Sequence, residues 1–515
     1  MARLVLLVVS IISATVVTET RRLSNSISHY EPLDYNQRDL HEKHDRARRS
    51  ADGELELQFN ALERDFHLRL RRATSIFAED FTIETSEDGV SDFDTSHIYT
   101  GFLQGEPSSH CHGSIHNGTF EGSIRSGSDE YFIEPAHRYY KEHHPDFHSV
   151  IYMGKDVQLT SEHRDPSGCS MSAELFTKMQ KIQNDFQDKK KYIKDRTRRN
   201  SDQTTCPLFI QTDHTFYEKY GSYKEVVSAI ASALDAVNYI YGNTVFGSYT
   251  NIGFLVKRIR VYTTSDIALP QYNFANEYIG VEKYLDLASS DNFDEYCLSY
   301  AFCARDFTNG ILGLAWIGYA SDLQGGGICD QYREYINQGW RSLNTGVVTT
   351  VNYGFPVPPL LFHLTFAHEL GHSFGSPHDY PSECRPGGVA GNYIMYSKSS
   401  DGLHVNNNEF SECSIGNMTL VLDAKKNRCF TSPDFAICGN GIVEGTEECD
   451  CGYEYECEDK CCEPRKAAVS DSNACKLSKY IPGVECSLSD GPCCDPDTCR
   501  PMAIGEVCRL AGGLS

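Results

Sequence analysis

Residues 368–378 read H-E-x-x-H-x-x-G-x-x-H, and this pattern constrains both local fold and chemistry. Two histidines four apart share one face of a helix, so His368 and His372 can reach a single ion. Glu369 lies between them, placed to take a proton from a water at that ion. Gly375 can end the helix and let the chain turn sharply, which brings His378 round as a third ligand. Three nitrogens leave a fourth zinc position open, the arrangement of a catalytic site and not of a structural one. At this histidine content the short H-E-x-x-H arises by chance in roughly one such chain in 25. The full pattern does so in roughly one in 10,000.

The flanks support a helix there. Pro358 and Pro359 suit its first turn, and Leu361, Leu364 and Thr365 follow with helical spacing. Upstream, Cys206 to Gln211, Phe254 to Thr264, Ile311 to Ile317 and Gly346 to Val351 read as strands. Ser222-x-x-Glu225 is a capping box before Val226, Ile230, Leu234 and Val237, one face of a long helix. This is a mixed α/β region.

An apolar run, Leu4 to Val17, follows Arg3 and is too short to span a bilayer. It reads as a secretory signal, 1–18. No other run approaches the length of a membrane span. The expected location is therefore the secretory pathway: the cell surface if an anchor follows residue 515, secretion if the chain ends there. The 21 cysteines fit an oxidising compartment, with two before residue 200, seven in 200–432 and twelve from Cys438 on. Asn117 and Asn417 head glycosylation sequons. A net charge of −24 excludes nucleic acid as a partner.

Arg196-Thr197-Arg198-Arg199 is the kind of site a furin-type convertase cuts, here between two differently composed regions. Arg46-Ala47-Arg48-Arg49 lies in a polar stretch and offers a second processing site. Arg69-Leu70-Arg71-Arg72, flanked by Phe66 and Ile76, reads as strand. Cys169 precedes the cut at Arg199. Its thiolate can fill the open zinc position and silence the enzyme, or it can pair with Cys111.

These residues resemble the metzincins in their adamalysin branch, the ADAM (a disintegrin and metalloproteinase) family. The resemblance is carried by Asp379 after His378, Phe209 to His214, Gly280 to Lys283, Ser342 to Gly346, Gly391 to Tyr396, Asn406 to Asn408, and Cys438 to Gly452. It is nearest to the Kuzbanian-type sheddases, or α-secretases, and covers nearly everything after the signal. It implies a multidomain chain: a β-rich inhibitory prodomain, 19–199; an α/β metzincin zinc-protease domain, 200–432; and a small disulfide-stapled, loop-rich disintegrin-like domain, 433–515, incomplete at its end. Met395 becomes the methionine of the turn beneath the metal. The family pairing carried over joins Cys206 to Cys297, Cys329 to Cys429 and Cys384 to Cys413. A Cys111–Cys303 bridge would then balance the count and leave Cys169 free. The strand Gly310 to Ala315 resembles the edge along which substrates lie.

In the tail, the side chains of Asn440, Glu444, Glu447 and Asp450 suit calcium, and related domains add the carbonyls of Ile437 and Ile442. The tip near Ser487 to Pro492 has no Arg-Gly-Asp, so integrin binding has no support. The resemblance implies a zinc endopeptidase that cuts membrane proteins near the cell surface. Notch-type and amyloid-precursor-type substrates, most of them type I membrane proteins, and tetraspanin-like regulators come by kinship only. The competing readings are a protease-inactive adhesion or decoy module and a secreted venom-type or matrix-degrading relative. The intact motif opposes the first, and the long prodomain opposes the second.

Overall fold

The structure is a computed structural model. It describes residues 22–48, 54–140, 145–158, 173–187 and 203–503, apart from 74, 268–271, 277–278, 399, 401, 433–437, 439–442, 444–446, 453, 455–456, 466–472 and 492. The signal segment, Cys169 and the tetrad Arg196–Arg199 lie outside the described residues.

Two sheets organise the molecule. The first is antiparallel and belongs to the prodomain. Its strands are β1 (Glu31–Leu33), β2 (Leu55–Ala61), β3 (Arg64–Arg72), β6 (Ile98–Leu103), β7 (Glu106–His116), β8 (Thr119–Ser126), β9 (Asp129–Pro135) and β10 (Ser149–Met153), in the order β1-β10-β9-β8-β7-β6-β3-β2. Alternation of apolar and polar residues, clear in β2 and β3, turns one face inward onto Leu57, Phe66, Leu68 and Ile124. Asn117, exposed and at φ 50°, turns the β7–β8 hairpin with Gly118.

The second sheet runs β14-β17-β13-β11-β12-β4-β5. From the protease region come β11 (Thr205–Thr212), β12 (Gly253–Val261), β13 (Leu298–Cys303), β14 (Gly313–Ala315) and β17 (Thr345–Thr349). The two outermost strands, β4 (Phe77–Thr85) and β5 (Gly89–Asp92), come from the prodomain. The prodomain is thus not a separate body set against the enzyme, because part of it completes the enzyme's sheet. Strands β4, β12, β11, β13 and β17 are parallel, and β14 closes the other edge antiparallel.

Helices cover both faces, as a parallel sheet requires. On one face α3 (His214–Tyr220), α4 (Tyr223–Asn243) and α6 (Pro359–Ser373) share a core with Val256, Phe302 and Phe366. Ser222 caps α4 by accepting from the Glu225 N–H. The Tyr241 hydroxyl donates to the Ala367 carbonyl at 3.0 Å and ties α4 to α6. On the other face α5 (Val281–Ala288) packs with α2 (Ala173–Asn184) over Leu314 and Trp316. Residues 185–187 continue from α2 onto the hairpin β15 (Arg333–Tyr335) and β16 (Gly339–Arg341), where Gln187 N–H donates to the Glu334 carbonyl. Helix α7 (Glu412–Lys425) closes the protease region.

Several sequence expectations change. The strand read at Ile311–Ile317 shortens to Gly313–Ala315, because the turn at Thr308–Gly310, with Asn309 at φ 64°, delays its start. Arg46 to Arg48 close helix α1 (Gln37–Arg48); Ala47 is buried and Arg48 donates to Asp94 at 2.8 Å. Arg49, the last residue of that tetrad, lies outside the described residues. Arg69 to Arg72, by contrast, sit in a strand as expected, in β3, with Leu70 and Arg72 buried.

Disulfides join Cys206–Cys297, Cys329–Cys429 and Cys384–Cys413. The tail carries Cys438–Cys475, Cys449–Cys462, Cys451–Cys457, Cys461–Cys499 and Cys486–Cys494. The inferred Cys111–Cys303 bridge is not formed. Both thiols are free and buried, Cys111 within the prodomain sheet and Cys303 in β13 of the other, each in a different core. Among the described residues no helix is long and apolar enough to cross a membrane.

Candidate metal centre and peptide cleft

Helix α6 begins at Pro359 with Pro358 as its cap, and runs to Ser373. His368, Glu369 and His372 are buried on it. The chain then reverses at Gly375, whose φ of +108° suits glycine, and a side chain there would strike Val421. The reversal delivers His378 opposite the helix. The ring centroids of His368, His372 and His378 lie 4.8, 5.3 and 5.0 Å apart, with their ligand atoms within 4.8 Å of one another.

Each helix histidine is oriented through Nδ1. His368 Nδ1 is 2.6 Å from the Ile394 carbonyl and His372 Nδ1 is 2.7 Å from the Ser376 carbonyl. Donation to those carbonyls fixes the tautomer and turns Nε2 inward. The buried Nε2 atoms of His368 and His378 have no hydrogen-bond partner among the described residues. Burial lowers the pKa of His368 to about 4. Burial, and then His368, lowers that of His378 to about 3. His372 is pushed well below its ordinary value, chiefly by burial and then by its two neighbours. Three neutral imidazoles with inward lone pairs form a donor set that fits zinc.

The surrounding loops hold this geometry. Met395 is fully buried beneath α6, where a side chain on Gly371 would lie 2.3 Å from its sulfur. Its carbonyl accepts from the Asp379 N–H at 2.9 Å. Asp379 is buried and accepts from Ser411 and Ser414 at the start of α7, and the Cys384–Cys413 bridge ties the same two segments. Burial raises the Asp379 pKa. Asn406 and Asn407 donate to the carbonyls of Gly391 and Asn392 and brace the loop that carries Met395. Sequence reasoning named Asp379 and Asn406–Asn408 only as family marks. The serines that receive Asp379 had no signal of their own, because their partner is 32 and 35 residues away.

Strand β14 passes directly over the site. A Cβ on Gly313 would come within 2.6 Å of Glu369 Cγ and Oε1. Glycine is therefore what lets a sheet edge approach that carboxylate. Among the described residues of the second sheet β14 pairs with β17 alone, so its outer edge can receive an extended peptide. Beside it a cavity of about 40 Å³ is walled by Leu361, Leu364 and Ile394, with His368 and Glu369 among its lining.

The remaining expected sites are less complete. Asn440, Glu444, Ile437 and Ile442 lie outside the described residues. Asp450 is buried and its side chain accepts from the Gly452 N–H at 2.8 Å. Glu447 lies beside Cys438 and Cys475, which are bonded to each other and not free to ligate. Asn417 is half-buried on α7.

A parallel sheet, an H-E-x-x-H helix with a third histidine after a glycine reversal, and a buried methionine beneath it define a zinc-dependent metalloendopeptidase of the metzincin class. Residues 223–424 match the family described as Metallo-peptidase family M12B Reprolysin-like, and residues 11–116 match the Reprolysin family propeptide. The chain is 44% identical over 510 residues to disintegrin and metalloproteinase domain-containing protein 10 of Bos taurus, covering 95% of this chain and 67% of that one. It is 45% identical over 464 residues to the Homo sapiens protein of that name, covering 85% and 62%. To the Caenorhabditis elegans homolog it is 35% identical over 585 residues, covering 98% and 63%. The chain belongs to the disintegrin and metalloproteinase family, adamalysin branch, and spans about two thirds of the length of these relatives.

Proposed function

We propose that this chain is the zymogen of a sheddase. Residues 1–18 are its signal, 19–199 its inhibitory prodomain, 200–432 its protease domain and 433–515 its disintegrin-like domain. A furin-type convertase severs it after Arg199, with Arg196 and Arg198 completing the recognition. The mature enzyme cuts type I membrane proteins near the cell surface, Notch-type and amyloid-precursor-type proteins among them by kinship, with tetraspanin-like regulators as further partners. Before the cut, Cys169 occupies the fourth zinc position. Asn440, Glu444, Glu447 and Asp450 hold calcium in the disintegrin-like domain, and Asn117 and Asn417 carry glycans.

The observation that carries the reading is the convergence of three neutral imidazoles and Glu369 beneath an open strand edge. His368, His372 and His378 would hold the zinc ion, which supplies Lewis acidity toward a peptide carbonyl and acidifies water. The substrate backbone pairs with β14, which sets its carbonyl over the histidines. Glu369 takes the proton of the attacking water and passes it to the leaving amine. Met395, Asp379 and the Ile394 carbonyl keep the imidazoles in place, and the cavity at Leu361 and Leu364 receives an apolar side chain of the substrate. A quenched-peptide assay on material severed after Arg199 tests this. Hydrolysis should appear, vanish with a zinc chelator and return with zinc. Absence of metal-dependent hydrolysis in folded, severed protein refutes the reading.

A further inference from the structure

The prodomain chain leaves its own sheet after Arg72 and rejoins it near Ile98, since Arg72 pairs with Tyr99 across β3 and β6. The intervening residues cross to the protease and become β4 and β5. Val256 pairs with Phe77, Arg258 with Thr82, Ile259 with Ile83 and Arg260 with Glu84, all parallel, and the Val256 N–H donates to the Ile76 carbonyl at 2.8 Å. Ile76, Phe77, Phe81 and Ile83 are buried in the same core as Val226, Ile230 and Ile259.

Charge follows the same line. The added hairpin presents Asp80, Glu84 and Asp92 to Lys257, Arg260 and Arg465. Lys257 lies 3.2 Å from Asp80, Arg260 2.9 Å from Glu84 and Arg465 3.4 Å from Asp92. Arg258 also donates to the Thr82 hydroxyl at 3.1 Å. In a chain of net charge −24 this basic stripe is a local exception. Arg465 comes from the disintegrin-like region, is buried, and donates to the carbonyls of Glu79 and Cys438 as well. The prodomain and the disintegrin-like region therefore meet on one guanidinium.

We propose that this edge is a second hold of the prodomain on the enzyme, independent of the cleft, by which the severed prodomain stays docked. It rests on the reading that the chain is cut between the prodomain and the protease. The cleft edge β14 is five strand steps from β4, about 24 Å at the spacing of paired strands. Cutting the link between residues 187 and 203 breaks none of the contacts named above. Release needs the loss of a parallel strand pairing, the uncovering of Phe77 and Phe81, and the separation of the ion pairs.

The test replaces residues 196–199 in the full chain by the recognition sequence of a site-specific protease, so that it does not depend on convertase cleavage. The severed protein is run by size exclusion at 50 and 500 mM salt, with hydrogen exchange read on residues 254–261. The two halves should co-elute at low salt and separate measurably faster at high salt, where the exposed Lys257–Asp80 pair is screened and the buried Arg465–Asp92 pair much less. Arg260→Glu with Arg465→Glu, which reverses the two largely buried pairs, should speed separation at least ten-fold at low salt. Amides of β12 should stay protected after severing, and exchange at least 100-fold faster only once the prodomain is removed. Immediate separation at low salt overturns the proposal. So does co-elution with β12 amides already unprotected, or with the same protection in the isolated protease. The exchange readout needs no variant to fold. Peptide hydrolysis by the isolated protease is scored separately and reports on the catalytic reading alone.

Discussion

The two outer strands that the protease region gives to the seven-stranded sheet, β14 and β12, have opposite tasks. At one, β14 is three residues long, pairs antiparallel with β17, and lies against a carboxylate that only a glycine lets it approach. At the other, β12 is nine residues long, parallel and basic, and is covered by a strand from another region of the chain. An open edge is a hazard for any sheet. Here one edge is kept short because it must receive and release peptides, and the long one is capped by the prodomain. Chemistry and restraint are thereby separated, and a change at one edge should leave the other intact.

The largest expected effect is at the short edge. Glu369→Ala should lower peptide hydrolysis by about 10²–10⁴-fold, the span of general base catalysis. Zinc content by elemental analysis and co-elution of the prodomain should not change. Undiminished turnover would remove Glu369 from the mechanism. Loss of prodomain docking would show that the edges are coupled. Gly313→Val comes next. Its side chain must displace Glu369 or lift β14, and misplacement on the scale of 1 Å costs about 10²-fold. A kcat/KM within two-fold of the original would show that β14 moves freely, against the close approach described here.

The short edge and its site were largely legible in the sequence, and the long edge was not. The zinc helix is a local pattern: His368 and His372 share a face because of helix geometry alone, with Glu369 next to them in sequence, and Gly375 marks the reversal. Helix α4 was legible for the same reason, through Ser222 and the spacing of its apolar face. Nothing local says that Phe77–Thr85 leaves one sheet for another. Its pattern is that of any half-buried strand, and its partner Val256 is far along the chain. Likewise, counting cysteines suggested a Cys111–Cys303 bridge, because parity carries no information about which core a thiol lies in. Asn440 and Glu444 fall outside the described residues, so their calcium reading still rests on spacing.

The long side of the molecule should also be weaker in acid. The prodomain lays His97 and His112 toward α4, near Lys224, Arg125 and Asp235, and both are buried. Burial, joined by His116, lowers His97 to about 3. Burial lowers His112 to about 4, against the opposing pull of Asp235. On separation these rings face water and regain an ordinary pKa near 6.5. A base with a lowered pKa in the docked state binds fewer protons there, so docking is complete above about 6.5 and weakens as pH falls toward the docked values. At pH 5.5 each ring should cost about 1.4 kcal/mol, roughly ten-fold in dissociation constant. Dissociation of the severed prodomain at pH 7.5 and 5.5 checks this, and His112→Gln should flatten the profile. Equal docking at both values would remove the histidines from the interface.

The smallest effect tests whether the two sheets are linked covalently at all. Burial pushes the thiols of Cys111 and Cys303 up to about 12, so both are neutral and inert where they lie. Cys303 packs in β13 with its sulfur 3.9 Å from the Val348 carbonyl, as a small apolar side chain would. Cys303→Ala should therefore cost only about 1 kcal/mol, the loss of one buried atom with little room for collapse. It should leave the non-reducing mobility of the severed protein unchanged and should not make Cys111 reactive to an alkylating agent in the folded state. If the substitution instead freed Cys111, or let the severed prodomain separate on a non-reducing gel that had held it before, a disulfide would join the sheets. The hold at β12 would then be redundant with a covalent one.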